Sequence, residues 1–177
     1  MPAKHLMIAI DWYGPYSSKA EAASAASEWY DDGLYLAIGP HKTKKSLKYI
    51  GLSKNLGVRL TRYHHKLDHM RIEEVWLGEV VTAEPSGKKL KVTKATLDYA
   101  EWLHAYFLDL PWNNKKKTQA PFKPVTVLNR WWKTDLSTPR RNRPHPNWPN
   151  LIDHPRYNQP SRAVWFGRKQ ELFERFA

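Results

Sequence analysis

Two tripeptides that contain glycine and tyrosine constrain the fold of this chain more than any other feature. Gly33-Leu34-Tyr35 and Tyr49-Ile50-Gly51 stand in two apolar segments, residues 34–38 and 46–52, which are rich in residues that favour strands. The run between them, Gly39-Pro40-His41-Lys42, has the polar composition of a turn. The pattern therefore predicts a β-hairpin that carries one tripeptide on each strand.

Helices and further strands are predicted around this hairpin. Ser18, Ser53 and Thr93 each precede a helix-forming stretch and can cap it, because their hydroxyls accept a free amide of the first turn. The pattern predicts an α+β fold, with a small three-stranded antiparallel sheet flanked by helices and an N-terminal strand and helix. The predicted elements are strands at 6–11 and 73–81, helices at 19–30, 54–69 and 94–108, a turn at 84–87, and a late helix at 167–176.

The last third of the chain differs from the rest in charge and proline content. Residues 1–110 hold 15 Lys/Arg against 13 Asp/Glu, whereas residues 111–177 hold 14 against 4, together with nine of the thirteen prolines. We predict a domain at 1–114 and a basic, Pro- and Trp-rich extension at 115–177 that packs on it or contacts nucleic acid. Such a stretch suits contact with phosphates and bases, although a solubilising surface would carry the same charge. Its aromatic residues include Trp131, Trp132, Trp148, Tyr157 and Trp165.

Composition also excludes some classes of protein. The chain has no cysteine, which rules out a disulfide framework and any zinc site built on cysteine. The apolar run at 6–10 is too short for a transmembrane helix, and no cleavage site of small residues follows it. We expect a cytoplasmic protein that makes no contact with a membrane.

Four further residues follow the tripeptides at defined intervals. Arg59 lies eight residues after Gly51, and Tyr63 lies four residues after Arg59, which is one helical turn if both are on a helix. Glu101 stands in the predicted helix at 94–108, and Asn113 comes twelve residues later.

In this order and spacing, residues 32–114 resemble the GIY-YIG nuclease superfamily. The first tripeptide has Leu34 where the family motif has Ile, and the second matches in full. The resemblance implies a three-stranded sheet flanked by helices, and a stand-alone endonuclease of restriction, phage or mobile-element type. It also implies one divalent ion, Mg²⁺ or Mn²⁺, bound by Glu101. The catalytic set that it implies is Tyr35, Tyr49, Arg59, Tyr63, Glu101 and Asn113.

The chemistry of phosphodiester hydrolysis is compatible with these residue types. The reaction needs an activated water and positive charge at the phosphate, and hard divalent ions prefer oxygen ligands such as Glu101. Arg59 stays charged and can contact phosphoryl oxygens. Either tyrosine could be the base; we favour Tyr49, with Tyr35 orienting the water. Asn113 is expected to fix the site from the end of the glutamate helix.

Duplex DNA is the expected partner, and cutting both strands would require a homodimer or two successive events. A non-catalytic nucleic-acid-binding module and an RNA-directed nuclease of the same fold remain alternatives.

His65 and His69 have the spacing of zinc ligands, but the glutamate of a His-Glu-x-x-His motif is missing. We therefore interpret these histidines as residues near DNA. His64 and His104 could assist the site. The predicted nucleic-acid contacts are Lys42, Lys44, Lys45, Lys54, Arg62, His64, Lys115, Lys116, Arg140, Arg141 and Arg143.

Overall fold

The computed structural model describes residues 4–81, 93–156 and 158–174. The turn predicted at 84–87 lies outside these residues. Within them the chain forms three helices, α1 (Lys19–Trp29), α2 (Leu56–Thr61) and α3 (Lys94–Phe107). The strands are β1 (Leu6–Tyr16), β2 (Gly33–His41), β3 (Lys44–Ser53), β4 (Glu74–Val80), β5 (Val125–Trp132), β6 (Leu151–His154), β7 (Ser161–Trp165) and β8 (Lys169–Phe173).

All eight described strands belong to one mixed sheet, in the order β3-β2-β4-β1-β5-β6-β7-β8. β1 and β5 run parallel, and the other neighbouring pairs are antiparallel. The prediction of a small three-stranded sheet is therefore wrong. The three predicted strands, β2, β3 and β4, do pair antiparallel, but they form one end of a larger sheet.

The sheet is larger than predicted because β1 pairs along both of its edges. Ile10 lies opposite Val80 of β4 on one side and opposite Asn129 of β5 on the other. The C-terminal extension then adds β5 to β8, and its prolines lie between strands, where no ladder hydrogen bond is lost. The division of the chain at residue 114 stays a prediction.

The predicted helix at 167–176 is also wrong over its described residues. Residues 169–173 form β8, which pairs antiparallel with β7 from Trp165↔Lys169 to Ser161↔Phe173. The stretch is too polar to show an apolar stripe, and cross-strand pairing with a neighbour twelve or fewer residues away decides its conformation.

Successive residues of β2 point alternately into two apolar clusters, as expected of a strand that is buried on both faces. Leu34 and Leu36 belong to the larger cluster, which contains the apolar side of α3 and three fully buried tryptophans, Trp12, Trp76 and Trp148. Tyr35 and Ala37 belong to the smaller cluster, which α1 and α2 cover. The first tripeptide thus places its tyrosine beneath the short helix α2.

The capping predictions are confirmed for α1 and α3, but the one at Ser53 is wrong, because Asn55 caps α2. The Ser18 side chain accepts the N–H of Glu21, and the Thr93 side chain accepts the N–H of Thr96. The helix predicted at 54–69 is much shorter, because Arg62 adopts an extended conformation and ends α2 after Thr61.

The hairpin between β2 and β3 also differs from the prediction. Residues 39–41, expected in the turn, continue β2, and only Lys42 and Thr43 separate the two strands. Lys42 has a φ of 56°, a left-handed conformation that short hairpin turns require. Most residues between the two tripeptides therefore belong to paired strands.

Candidate active site

Tyr35 and Gly51 lie opposite each other on β2 and β3, and this register brings the two tripeptides together. Tyr35 is 1 % exposed, and a Cβ atom built on Gly51 would lie 2.3 Å from the Tyr35 hydroxyl oxygen. Unbonded heavy atoms do not approach so closely, since their attraction is greatest near 3.5–4.0 Å. The glycine of the second tripeptide therefore makes room for the tyrosine of the first.

Three aromatic rings form a compact cluster beside the edge strand β3. The ring centroids of Tyr35 and Tyr49 are 6.2 Å apart. His64 packs edge-on against both, at 5.6 Å from Tyr35 and 5.5 Å from Tyr49. We call these three residues the tyrosine–histidine cluster.

His64 is fully buried and joined to Tyr35 by a 2.8 Å hydrogen bond between Nε2 and the hydroxyl oxygen. Its other nitrogen, Nδ1, accepts the backbone N–H groups of Lys66 and Leu67 at 3.0 and 3.1 Å. A nitrogen that accepts two N–H bonds carries no proton, so Nε2 carries the proton of the neutral ring and donates to Tyr35. Burial lowers the pKa of His64 to about 4, and the charge of Arg59 adds to the effect.

Charged residues on two helices act on the cluster from outside. Burial raises the pKa of Tyr35 above its usual value, the positive charge of Arg59 on α2 opposes the increase, and the negative charge of Glu101 on α3 adds to it. Burial also raises the pKa of Tyr49, and the neighbouring Tyr35 raises it further. One cation and one carboxylate thus lie within electrostatic reach of the same two phenols.

Glu101 is engaged with a lysine of the segment that follows α3. Its carboxylate oxygen Oε2 lies 2.7 Å from Lys116 Nζ, which also lies 2.5 Å from Oδ1 of Asp98 one turn earlier on the helix. The Glu101 side chain is 14 % exposed. Burial raises its pKa above the usual range, whereas Lys116 acts in the opposite direction.

Asn113 connects the end of the α3 segment to the second tripeptide. Its Oδ1 accepts the N–H of Ile50 at 3.0 Å, and its Nδ2 donates to the carbonyl of Ile50 at 2.9 Å. The backbone N–H of Trp112 donates to the carbonyl of Lys48. The side chain of Asn113 therefore satisfies backbone groups on the free edge of β3, between Tyr49 and Gly51.

The donor atoms near Glu101 suit a hydrated ion of the magnesium type. Asp98 and Glu101 bring carboxylate oxygens to one positively charged group, and Mg²⁺ commonly binds one or two carboxylates while keeping several waters. Among the described residues no group of three His, Cys, Asp or Glu side chains could cage a metal. Glu101 is thus compatible with one divalent ion, provided that Lys116 moves aside.

Tyr63 lies apart from the tyrosine–histidine cluster. Because α2 ends at Thr61, Tyr63 does not share a helical face with Arg59. Tyr63 is 67 % exposed, and its hydroxyl lies 2.5 Å from Nε2 of His69. Of the predicted catalytic set, the structure brings together Tyr35, Tyr49, Arg59, Glu101 and Asn113. His64, and not Tyr63, lies beside Tyr35.

The predicted nucleic-acid contacts fall into three groups. His64 is fully buried, and its side chain has no exposed surface. Lys116, Arg140 and Arg143 are half-buried and engaged within the fold: Lys116 in the ion pairs above, Arg140 over the ring of Trp76, and Arg143 on the carbonyl of Trp148. The exposed positions, which stay predictions, are Lys42, Lys44, Lys45, Lys54, Arg62, Lys115 and Arg141.

His64 was predicted only as a residue that could assist the site, and the sequence did not reveal its hydrogen bond to Tyr35. Its position depends on Asp68, whose carboxylate accepts the His64 N–H at 2.6 Å and is itself paired with Lys19 on α1. The spacing of His64 and Asp68 is the only local signal, and Asp68 pairs with Lys19, which lies 49 residues earlier in the sequence. His104 does not assist the site: it is buried in the larger core and hydrogen-bonded to Asn129.

Comparisons of the chain with protein-family models, with curated proteins and with solved structures gave no match. No helix among the described residues has both the length and the apolar character to cross a membrane.

Proposed function

We propose that this chain is a metal-dependent DNA endonuclease of the GIY-YIG type, which hydrolyses phosphodiester bonds at the tyrosine–histidine cluster. The observation that carries the proposal is the buried hydrogen bond between Tyr35 and His64, placed within reach of both Arg59 and Glu101. A buried tyrosine that is hydrogen-bonded to a neutral histidine and lies within electrostatic reach of a cation and a carboxylate is an unusual arrangement for a residue with only a structural role.

Tyr35 is the better candidate for the base in this arrangement, rather than Tyr49. The Tyr35 oxygen accepts a hydrogen bond from the Nε2–H of His64 and lies within reach of the positive charge of Arg59. Both interactions would stabilise a phenolate. Burial nevertheless keeps the pKa of Tyr35 above its usual value, so its hydroxyl is protonated at rest. Tyr35 would therefore act as a relay: its oxygen would take a proton from the attacking water as its own proton passes to the hydroxyl of the half-buried Tyr49, which would release its proton to solvent.

The other residues bind and orient the phosphate. Arg59 is permanently charged and would contact a non-bridging phosphoryl oxygen. Tyr49, whose pKa is raised by burial, stays protonated and would donate to the phosphate or to Tyr35. Asn113 holds the strand that carries Tyr49 in place through its two bonds to Ile50.

A divalent ion, Mg²⁺ or Mn²⁺, would be held by Glu101 and Asp98 and would supply positive charge at the phosphate and the leaving oxygen. Lys116 now occupies the same carboxylates. It would leave them for the ion and become free to contact the phosphate chain.

DNA is the substrate that the surface charges favour. Lys42 and Lys44 at the hairpin tip, and Lys115 beside the Glu101 helix, are exposed and carry the charge that phosphates attract. A homodimer is proposed for cutting both strands, since each chain holds one such site.

The ion pair between Lys116 and Glu101 favours a second candidate, a module that binds nucleic acid without cutting it. If this ion pair persists in solution with a divalent ion present, Glu101 is a structural residue and no metal binds there. An RNA-directed nuclease would use the same charges and the same site.

Cleavage of supercoiled plasmid with Mg²⁺ or Mn²⁺ tests the proposal. We expect nicked or linear product with the native chain, none in EDTA, and none with Glu101→Gln, while DNA binding by that variant persists. Glu28→Gln is the matched control, because it makes the same chemical change at an exposed position on α1 and should cut normally. An intact plasmid with both metals, together with DNA binding that Glu101→Gln leaves unchanged, would favour the binding module.

A further inference from the structure

Three aromatic rings form a surface on the flank of α3 that the proposed site does not use. Tyr99 and Trp102 lie nearly parallel, with an interplanar angle of 6° and centroids 6.2 Å apart. Phe122 meets Trp102 edge-on at 5.9 Å. Phe122 is 76 % exposed, the largest exposed fraction among the large apolar side chains of the described residues. We call Tyr99, Trp102 and Phe122 the aromatic surface.

The aromatic surface is held rigidly by the residues around it. Pro121 and Pro124, on either side of Phe122, are buried, and their carbonyls accept bonds from His154 Nε2 at 2.8 Å and from the N–H of Leu6 at 3.0 Å. Trp102 is fixed by its own bond from Nε1 to the carbonyl of Gln119 at 2.7 Å. Phe122 therefore points into water from a fixed backbone and is contiguous with the half-buried rings of Tyr99 and Trp102, and contiguous apolar surfaces of this kind mark interaction sites.

Exposed lysines lie on one side of these rings. Lys115 and Lys123 are exposed on the segment that carries Phe122. Next to Tyr99 lies a cavity of about 270 Å³, which Lys123 and His5 also line. The described residues of its lining include no carboxylate. Flat aromatic rings beside lysines are complementary to a strand whose bases are exposed and whose phosphates are negative.

We infer that the aromatic surface binds the unpaired bases of single-stranded DNA, with Phe122 and Trp102 stacking on bases and Lys123 contacting the backbone. Aromatic rings and basic grooves are the combination by which proteins bind single strands without sequence preference. Tyr99 and Trp102 lie within one turn of Glu101 on α3. Binding of a single strand does not require the proposed function. If the proposed function holds, the inference has one consequence, which is that the substrate contains an unpaired segment next to the cleavage site.

The test measures binding in EDTA, so that nothing is cut. Fluorescence anisotropy would compare the native chain and Phe122→Ala on a labelled single-stranded DNA, on the duplex of the same sequence, and on the corresponding RNA strand. Stacking contributes about 1–3 kcal/mol per base, so we expect single-strand binding to weaken about 5- to 150-fold, with duplex binding unchanged. Phe166→Ala is the matched control, because Phe166 is also exposed, at 54 %, but lies in the turn between β7 and β8.

Three results would overturn the inference: single-strand binding that Phe122→Ala does not weaken, an equal loss for duplex and single strand, or an equal loss with Phe166→Ala. RNA bound tenfold more tightly than DNA by the native chain would overturn the choice of DNA. Cleavage does not enter these measurements. A loss confined to single strands would therefore support the aromatic surface even if Glu101→Gln showed that the chain does not cut.

Discussion

The hydroxyl oxygen of Tyr35 stands 2.3 Å from the point where a side chain on Gly51 would begin. The two residues lie opposite each other on β2 and β3, so the register of the hairpin and the position of the phenol are fixed together. Anything that adds bulk at residue 51 must move the ring of Tyr35 or separate the strands.

Gly51→Ala should therefore destabilise the protein by about 1–3 kcal/mol, the usual cost of overpacking a filled core. Alanine otherwise suits a strand at least as well as glycine, so a loss would report the clash itself. The measurement is urea unfolding of a double-mutant cycle with Tyr35→Ala. In the Tyr35→Ala chain, Gly51→Ala should lower the free energy of unfolding by less than it does in the native chain. An equal decrease in both chains would contradict the proposed contact.

Asn113→Ala should destabilise the protein by about 1–3 kcal/mol, because it leaves the N–H and the carbonyl of Ile50 without their partner on a buried edge. The neighbouring Asn114→Ala is the control, since Asn114 is exposed and its substitution should cost little. The free energy of unfolding of both variants checks this prediction. Equal stability of the two variants would show that Asn113 does not hold β3.

Two buried histidines should make the stability fall in mild acid. Burial lowers the pKa of His64 and of His104 to about 4, whereas both rings titrate near 6.5 in the unfolded chain. Between these values the unfolded chain binds more protons than the folded chain, so stability is complete above pH 6.5 and falls as the pH drops towards 4.

The midpoint of urea unfolding at pH 7 and at pH 4.5 measures this effect. We expect a lower midpoint at pH 4.5, and a smaller difference between the two values for His64→Asn than for the native chain. A midpoint that rises on acidification, or a difference that His64→Asn enlarges, would contradict the buried neutral state of His64.

Lys116→Met should strengthen binding of Mn²⁺. The variant removes an ammonium that competes for Glu101 and Asp98, and losing one charge at about 4 Å in water-like screening is worth about 1 kcal/mol, or about fivefold in affinity. Lys117→Met is the matched control, because Lys117 pairs with Asp109 instead. Calorimetric titration with Mn²⁺ gives the affinities, and weaker binding by Lys116→Met would show that Lys116 helps to build the site.

Local patterns predicted the elements that depend on nearby residues. The helices α1 and α3 begin after Ser18 and Thr93 as expected, since a cap acts within one turn. The three strands nearest the tripeptides were also predicted, because their apolar patterns and turn residues are close together in the chain.

The elements that depend on distant contacts could not be predicted in this way. β1 pairs with β5, which lies 119 residues later in the sequence, and the Trp12–Asn129 hydrogen bond spans 117 residues, so the larger sheet left no local signal. The end of α2 similarly involves a distant partner, because the Lys19 ammonium donates to the carbonyl of Arg62, the residue that ends the helix. In the site, the tyrosines and Glu101 were predicted from a family pattern, whereas His64 reaches Tyr35 only through that long-range fold.

The most direct test of the proposed site is the single-turnover rate of plasmid nicking by Tyr35→Phe, with Tyr63→Phe alongside it. General acid–base catalysis commonly contributes about 10²–10⁴-fold, so loss of the Tyr35 hydroxyl should slow nicking by at least about 100-fold while leaving DNA binding intact. Tyr63 is exposed and outside the tyrosine–histidine cluster, so Tyr63→Phe should change the rate only slightly. Nicking by Tyr35→Phe at the native rate would contradict the assignment of this cluster as the active site.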